Sequence, residues 1–130
     1  MCMDNVKRKW QLFGKQKFAY KVLRRTNNSN LQTPIAGKSV RNNCTDWQGP
    51  YQRVPRTLRA NLYTHDKIHE RKISVFRKLE AAKEWNKNSA DEIWFVEIKY
   101  DKFLVGKQFN RQDSALVDEF RLVARMPTGK

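Results

Sequence analysis

Two stretches of the chain alternate in hydrophobicity with a period of two, "KFAYKVLRR" (17–25) and "EIWFVEIKY" (92–100), and this alternation constrains the fold more than any other feature. In the first, Phe18, Tyr20 and Val22 alternate with Ala19, Lys21 and Leu23, which predicts a pleated strand with one strongly apolar face. In the second, Trp94, Val96, Ile98 and Tyr100 share a face. "FLVG" and "ALVDEFRLVAR" read as two more strands; in the latter Leu116, Phe120, Leu122 and Ala124 alternate with Val117, Glu119, Arg121 and Val123. Such strands need a covering layer. "ISVFRKLEAAKEWNK" (73–87) is expected to supply it as a helix, because Val75, Leu79, Ala82 and Trp85 recur at helical spacing while Arg77, Lys78, Glu80, Lys83 and Glu84 face elsewhere. Ser74 is its expected N-cap. The expected architecture is a single α+β domain over 1–130: a mainly antiparallel sheet, one principal amphipathic helix and a long irregular loop.

Between these elements, "NNSN" (27–30) marks a turn. Residues 31–59 are broken by Pro34, Gly37, Gly49, Pro50 and Pro55 and read as the long loop, a kind of segment that is more often functional than decorative. "NLYT" (61–64) reads as a short strand. Residues 1–16 form a basic stretch with Trp10 and Phe13 as anchors, expected in part as an N-terminal arm. The N-terminal segment carries charges where a signal peptide has its apolar region, and the apolar runs are short, which predicts an unexported, intracellular (cytoplasmic) protein with no membrane partner. Cys2 and Cys44 form no Cys-x-x-Cys pair, so neither a disulfide framework nor a cysteine zinc site is suggested.

The charge is strongly asymmetric. There are 27 Lys and Arg against 13 Asp and Glu, a net +14. Residues 1–60 hold 13 basic and 2 acidic residues, whereas residues 91–130 hold 7 of each. A field of this sign attracts polyanions, of which nucleic acid is the commonest that a small intracellular domain meets. An acidic protein partner would answer the same field.

Three local patterns are candidates for function. "KRKWQLFGKQKF" mixes Lys7, Arg8, Lys9, Lys15 and Lys17, suited to phosphates, with Trp10, Phe13 and Phe18, whose ring faces can stack unpaired bases or anchor a core. Arg24 adds a further charge, and Arg53, Arg56 and Arg59 recur at intervals of three around Pro55, as in a phosphate clamp or a solvated loop. "HDKIH" sets His65 and His69 at a zinc-ligand spacing, yet the stretch is strongly polar and no third histidine exists, so no metal site is expected. The five glycines are scattered, which excludes a glycine-rich phosphate loop, and no nucleophile elbow is present.

The order of elements resembles the ADP-ribosyltransferase fold. "YKVLRR" supplies Arg24 or Arg25 on a first strand, "LYT" supplies Tyr63 and Thr64 ahead of a helix, and "VDEFRLVARMP" supplies Glu119 on a late strand. The resemblance implies an NAD-using enzyme in which Arg25 grips the pyrophosphate and Glu119 acts at the ribose, with Asn61 and Leu62 standing where the family has glycine. The residues taken by themselves favour a small basic binding protein without a cofactor, docking on nucleic acid or a nucleoprotein complex. That profile suits a phage or mobile-element protein interfering with host machinery, or a basic inhibitor of an acidic protein.

Overall fold

A computed structural model describes residues 5–11, 17–34, 37–49, 52–53, 71–85, 90–100, 103–108 and 111–127. For 5–11, 52–53, 71–72, 103–108 and 111–113 the description is of the backbone. Among the described residues ten strands and one helix follow in chain order: β1 (Asn5–Gln11), β2 (Phe18–Arg25), β3 (Leu31–Gln32), β4 (Ser39–Val40), β5 (Gln52–Arg53), β6 (Arg71–Phe76), α1 (Leu79–Trp85), β7 (Asp91–Lys99), β8 (Phe103–Gln108), β9 (Arg111–Val117) and β10 (Glu119–Arg125). All their pairings are antiparallel. The fold is therefore mostly antiparallel sheet with a single helix among the described residues, which fits the α+β class.

The sheet runs β1-β8-β9-β6-β2-β7-β10, with β3 and β4 continuing from the far end of β2 and β5 lying along the start of β6. Its curvature follows from one covalent fact. β9 and β10 are joined through the single residue Asp118, yet β6, β2 and β7 lie between them in the sheet. In a flat sheet four strand spacings would set them about 19 Å apart. Two residues of chain reach only about 7 Å. The sheet must therefore curl until the end of β9 and the start of β10 meet. Its enclosed face forms one core of Ala19, Leu23, Leu31, Val40, Ile73, Val75, Trp94, Val96, Ile98, Ala115, Val117, Phe120 and Leu122. On the outer face, α1 packs Ala81 and Ala82 against Val22, Phe76 and Ile93.

Gly49 lies where the curl closes. Its φ of +113° is strained for any residue with a side chain, and a Cβ there would stand 3.1 Å from the Asp118 carbonyl oxygen. Beside it, buried Gln48 bridges to Phe120 through two backbone hydrogen bonds of 2.8 and 2.9 Å. Its side-chain amide donates to the Arg41 carbonyl at 2.8 Å and accepts from the Arg41 amide at 2.6 Å. The expected long loop is thus partly built into the sheet, by β3, β4, Gln48 and β5.

Five expectations change. The helix is shorter than 73–87: Arg71–Phe76 is a strand, because Ile73 and Val75 enter the enclosed core while Phe76 meets α1 on the other face. Ser74 consequently sits mid-strand opposite Leu116 and caps nothing. "ALVDEFRLVAR" is two strands, since residues up to Val117 pair with β6 and β8 whereas those from Glu119 pair with β7. Asn5–Gln11 is not a free arm but a strand paired with β8. The apolar face of β2 is also redistributed. Lys21 is only 1% exposed and Phe18 is 43% exposed. β2 and β6 share only the Tyr20–Phe76 pair before diverging to β3 and β5, and Lys21 Nζ donates to the Ser74 carbonyl at 2.8 Å beside that gap.

Candidate nucleic-acid interface

The outer positions of β2 and β7 face each other in four rows, Phe18–Glu97, Tyr20–Phe95, Val22–Ile93 and Arg24–Asp91. Strand alternation places all eight on one side of the sheet. The seven-residue α1 covers the middle of this side, where Val22 and Ile93 are buried beneath Ala81 and Ala82. What remains to either side differs in chemistry.

At the Phe18 end the surface is aromatic with charged neighbours. The Phe18 ring stacks on Phe95 with centroids 5.1 Å apart and planes 13° from parallel, and Tyr20 meets Phe95 at 5.6 Å. β10 adds Arg121 directly opposite Glu97, to which it donates a hydrogen bond. Trp47 joins from the β4–β5 connection, with Lys99 Nζ 4.0 Å and Arg121 Cζ 4.9 Å from its ring centroid. Each cation over the ring contributes roughly 0.5–1 kcal/mol when exposed. The indole is set in place by its neighbours: Gln48 bridges to β10, Arg41 donates to the Trp47 carbonyl at 3.1 Å, and Arg41 pairs with Asp46 at 3.0 Å. Lys17 is exposed beside the same end of β2.

At the opposite end the charges are paired. Arg24 Nε donates to Asp91 at 2.8 Å, and Arg25 makes a two-pronged contact with Glu92 at 2.7 and 3.0 Å. Asp91 and Glu92 are buried. Burial opposes ionisation of Glu92, but hydrogen bonds from Arg25 and Trp94, with the charges of Arg25 and Arg125, outweigh it and hold its pKa below the usual carboxylate value. The hydrogen bond to Glu92 in turn raises the pKa of Arg25. Arg125 approaches Glu92 to 3.5 Å from the other side. Arg24, expected to contact phosphate, and Arg25, expected to grip a pyrophosphate, are both committed to carboxylates of the neighbouring strand.

The remaining sequence candidates fall in three groups. Lys7, Arg8, Lys9 and Trp10 belong to β1 at the far edge of the sheet, and Arg53 stands opposite Arg71 in the β5–β6 ladder. Glu119 pairs with Lys99 while Arg24 pairs with Asp91, so Arg25 and Glu119 sit near opposite ends of β7, about 26 Å apart along the strand. The two residues that the ADP-ribosyltransferase resemblance requires at one centre are not brought together. Lys15, Arg56, Arg59, Tyr63, Thr64, His65 and His69 lie outside the described residues. Among the described residues no group of three or more His, Cys, Asp and Glu could hold a metal ion.

Sequence reasoning missed the cluster of Trp47, Lys99 and Arg121, whose members come from three separated segments and share no motif. It named Phe18 but could not establish its exposure. No protein-family model matches the chain, and no curated protein or solved structure matches it.

Proposed function

We propose that the chain is a small basic binding protein that docks on nucleic acid, alone or within a nucleoprotein complex, through one half of its sheet. The distribution of charge over the strands carries this reading. β1, β8, β9, β6 and β5 hold eight basic residues and one acid, whereas β2, β7 and β10 hold six basic residues and four acids. In the second group Asp91, Glu92 and Glu97 are each ion-paired to an arginine. The basic excess therefore lies on β1 and β8, neighbours at one edge of the sheet, and on β6 with β5 alongside it, while Arg111 and Asp113 leave β9 between them without net charge.

A band of positive charge across adjacent strands suits the regular phosphates of a nucleic acid, whose binding releases condensed counterions. Contacts of this kind position a nucleic acid without reading its sequence. Changing Lys7, Arg8 and Lys9 together to Gln is expected to weaken binding of nuclease-treated protein to oligonucleotides of several unrelated sequences by similar factors. Loss confined to one sequence would assign base reading to these residues. Absence of binding by the wild type, with capture by an acidic protein, would replace nucleic acid with a protein partner.

A further inference from the structure

We infer that Lys99 and Lys17, at the end of β7 and just before β2, form a second point of contact for nucleic-acid phosphates, with Trp47 as the positioning residue of Lys99. This rests on the docking function proposed above and extends it beyond the strands that carry the basic excess. Arg24, Arg25, Arg41 and Arg121 are each paired with a carboxylate. Lys99 differs. It stands in register with Glu119 across the β7–β10 ladder, yet its Nζ lies over the Trp47 ring, 4.0 Å from the centroid. A ring face attracts a cation through its quadrupole without neutralising it, so the charge and the N–H donors of the ammonium still answer to an anion. The indole is itself held, by the Gln48 bridge to β10, by Arg41 on the Trp47 carbonyl and by Arg121 against the ring. A lysine steadied in this way loses less freedom on taking a ligand than one moving free in solvent.

Lys17 stands beside it. The Ile98 amide donates to the Lys17 carbonyl at 2.8 Å, which sets the Cα atoms of Lys17 and Lys99 about 9 Å apart or less. Both lysines are exposed, and among the described residues neither makes an ion pair. Two like charges at this separation repel, and an anion taken between them removes the repulsion. Lysine acts on phosphate as a point charge on a flexible stem, so the contact needs no particular base. Single strands and duplexes share the required chemistry.

Fluorescence anisotropy of labelled dT12 and of a blunt hairpin DNA duplex, each over a salt series, tests the inference. Lys99→Gln and Lys17→Gln should each weaken binding of both probes by about three- to tenfold and make the slope of log K against log salt shallower by about 0.7–0.9. Lys99→Arg keeps the charge and should keep the wild-type slope. Trp47→Leu should weaken binding by about two- to fivefold and add nothing in a Lys99→Gln background, because the ring acts through the lysine. Additive losses in that double variant would overturn the positioning role of Trp47. Wild-type slopes in both glutamine variants would overturn the inference while leaving docking through the basic strands intact. Polyglutamate bound as tightly as dT12, and weakened equally by Lys99→Gln, would assign the two lysines to a carboxylate-bearing partner and overturn it as well. No salt-dependent binding of either DNA probe by the wild type would overturn the docking function and this inference with it.

Discussion

Gly49 and Glu92 each carry a strong local constraint on the fold, one of backbone geometry and one of buried charge. At Gly49 an added Cβ meets both a φ of +113° and the Asp118 carbonyl oxygen at 3.1 Å, whereas Gly37, at φ +66°, has open space around it. Gly49→Ala should therefore lower the unfolding free energy by about 2–3 kcal/mol and Gly37→Ala by about 1 kcal/mol, as read from urea midpoints. Equal losses would contradict the close approach that marks the closure of the sheet. Glu92 is charged in the fold because Arg25, Trp94 and Arg125 hold it so, and replacing it with Gln removes the charge-assisted hydrogen bonds from half-buried Arg25, at a cost of about 1.5–3 kcal/mol. Its folded pKa lies below its unfolded one, so its contribution is present above the ordinary carboxylate value and is lost as the pH falls below it. Wild type should lose stability more steeply than Glu92→Gln on acidification below about pH 4.3. Parallel curves would show that Glu92 does not ionise differently in the two states.

α1 illustrates how an element can be dictated by packing. Seven residues are too few for a helix to persist alone in water. It is held by Ala81 and Ala82 against Val22, Phe76 and Ile93, where Ala82 is fully buried. Ala82→Leu is expected to cost about 1–3 kcal/mol by overpacking, measured by thermal or denaturant unfolding, whereas the same change at exposed Lys83 should lie within about 0.5 kcal/mol. β2 and β7 were legible in the sequence because their alternation is long and uninterrupted. "ISVF" was not, because Val75 also fits the helical stripe of Leu79 and Ala82; only pairing with β9 decides for a strand. The corner at Asp118 was hidden for a related reason. Alternation continues on both sides of it, and what separates β9 from β10 is a sheet that closes on itself, a property of no single segment. The candidate surface was legible only as a list of basic and aromatic residues. Whether Arg24 and Arg25 are available depends on the register that sets them beside Asp91 and Glu92.

For the whole molecule the governing feature is a net charge of +14 that the sheet does not share evenly. The paired arginines of β2 and β10 stabilise the fold, while the strands from β1 to β6 carry basic residues with a single acid among them. Docking driven by these charges draws its free energy from counterion release, which makes the salt dependence of binding more telling than any single affinity. The decisive measurement is the slope of log K against log salt for a single-stranded oligonucleotide, in wild type and in the variant with Lys7, Arg8 and Lys9 all changed to Gln. The wild type should show a steep negative slope, and removal of three phosphate contacts should make it shallower by about 2. A wild-type slope near zero, or an identical slope in the variant, would contradict docking through the basic strands.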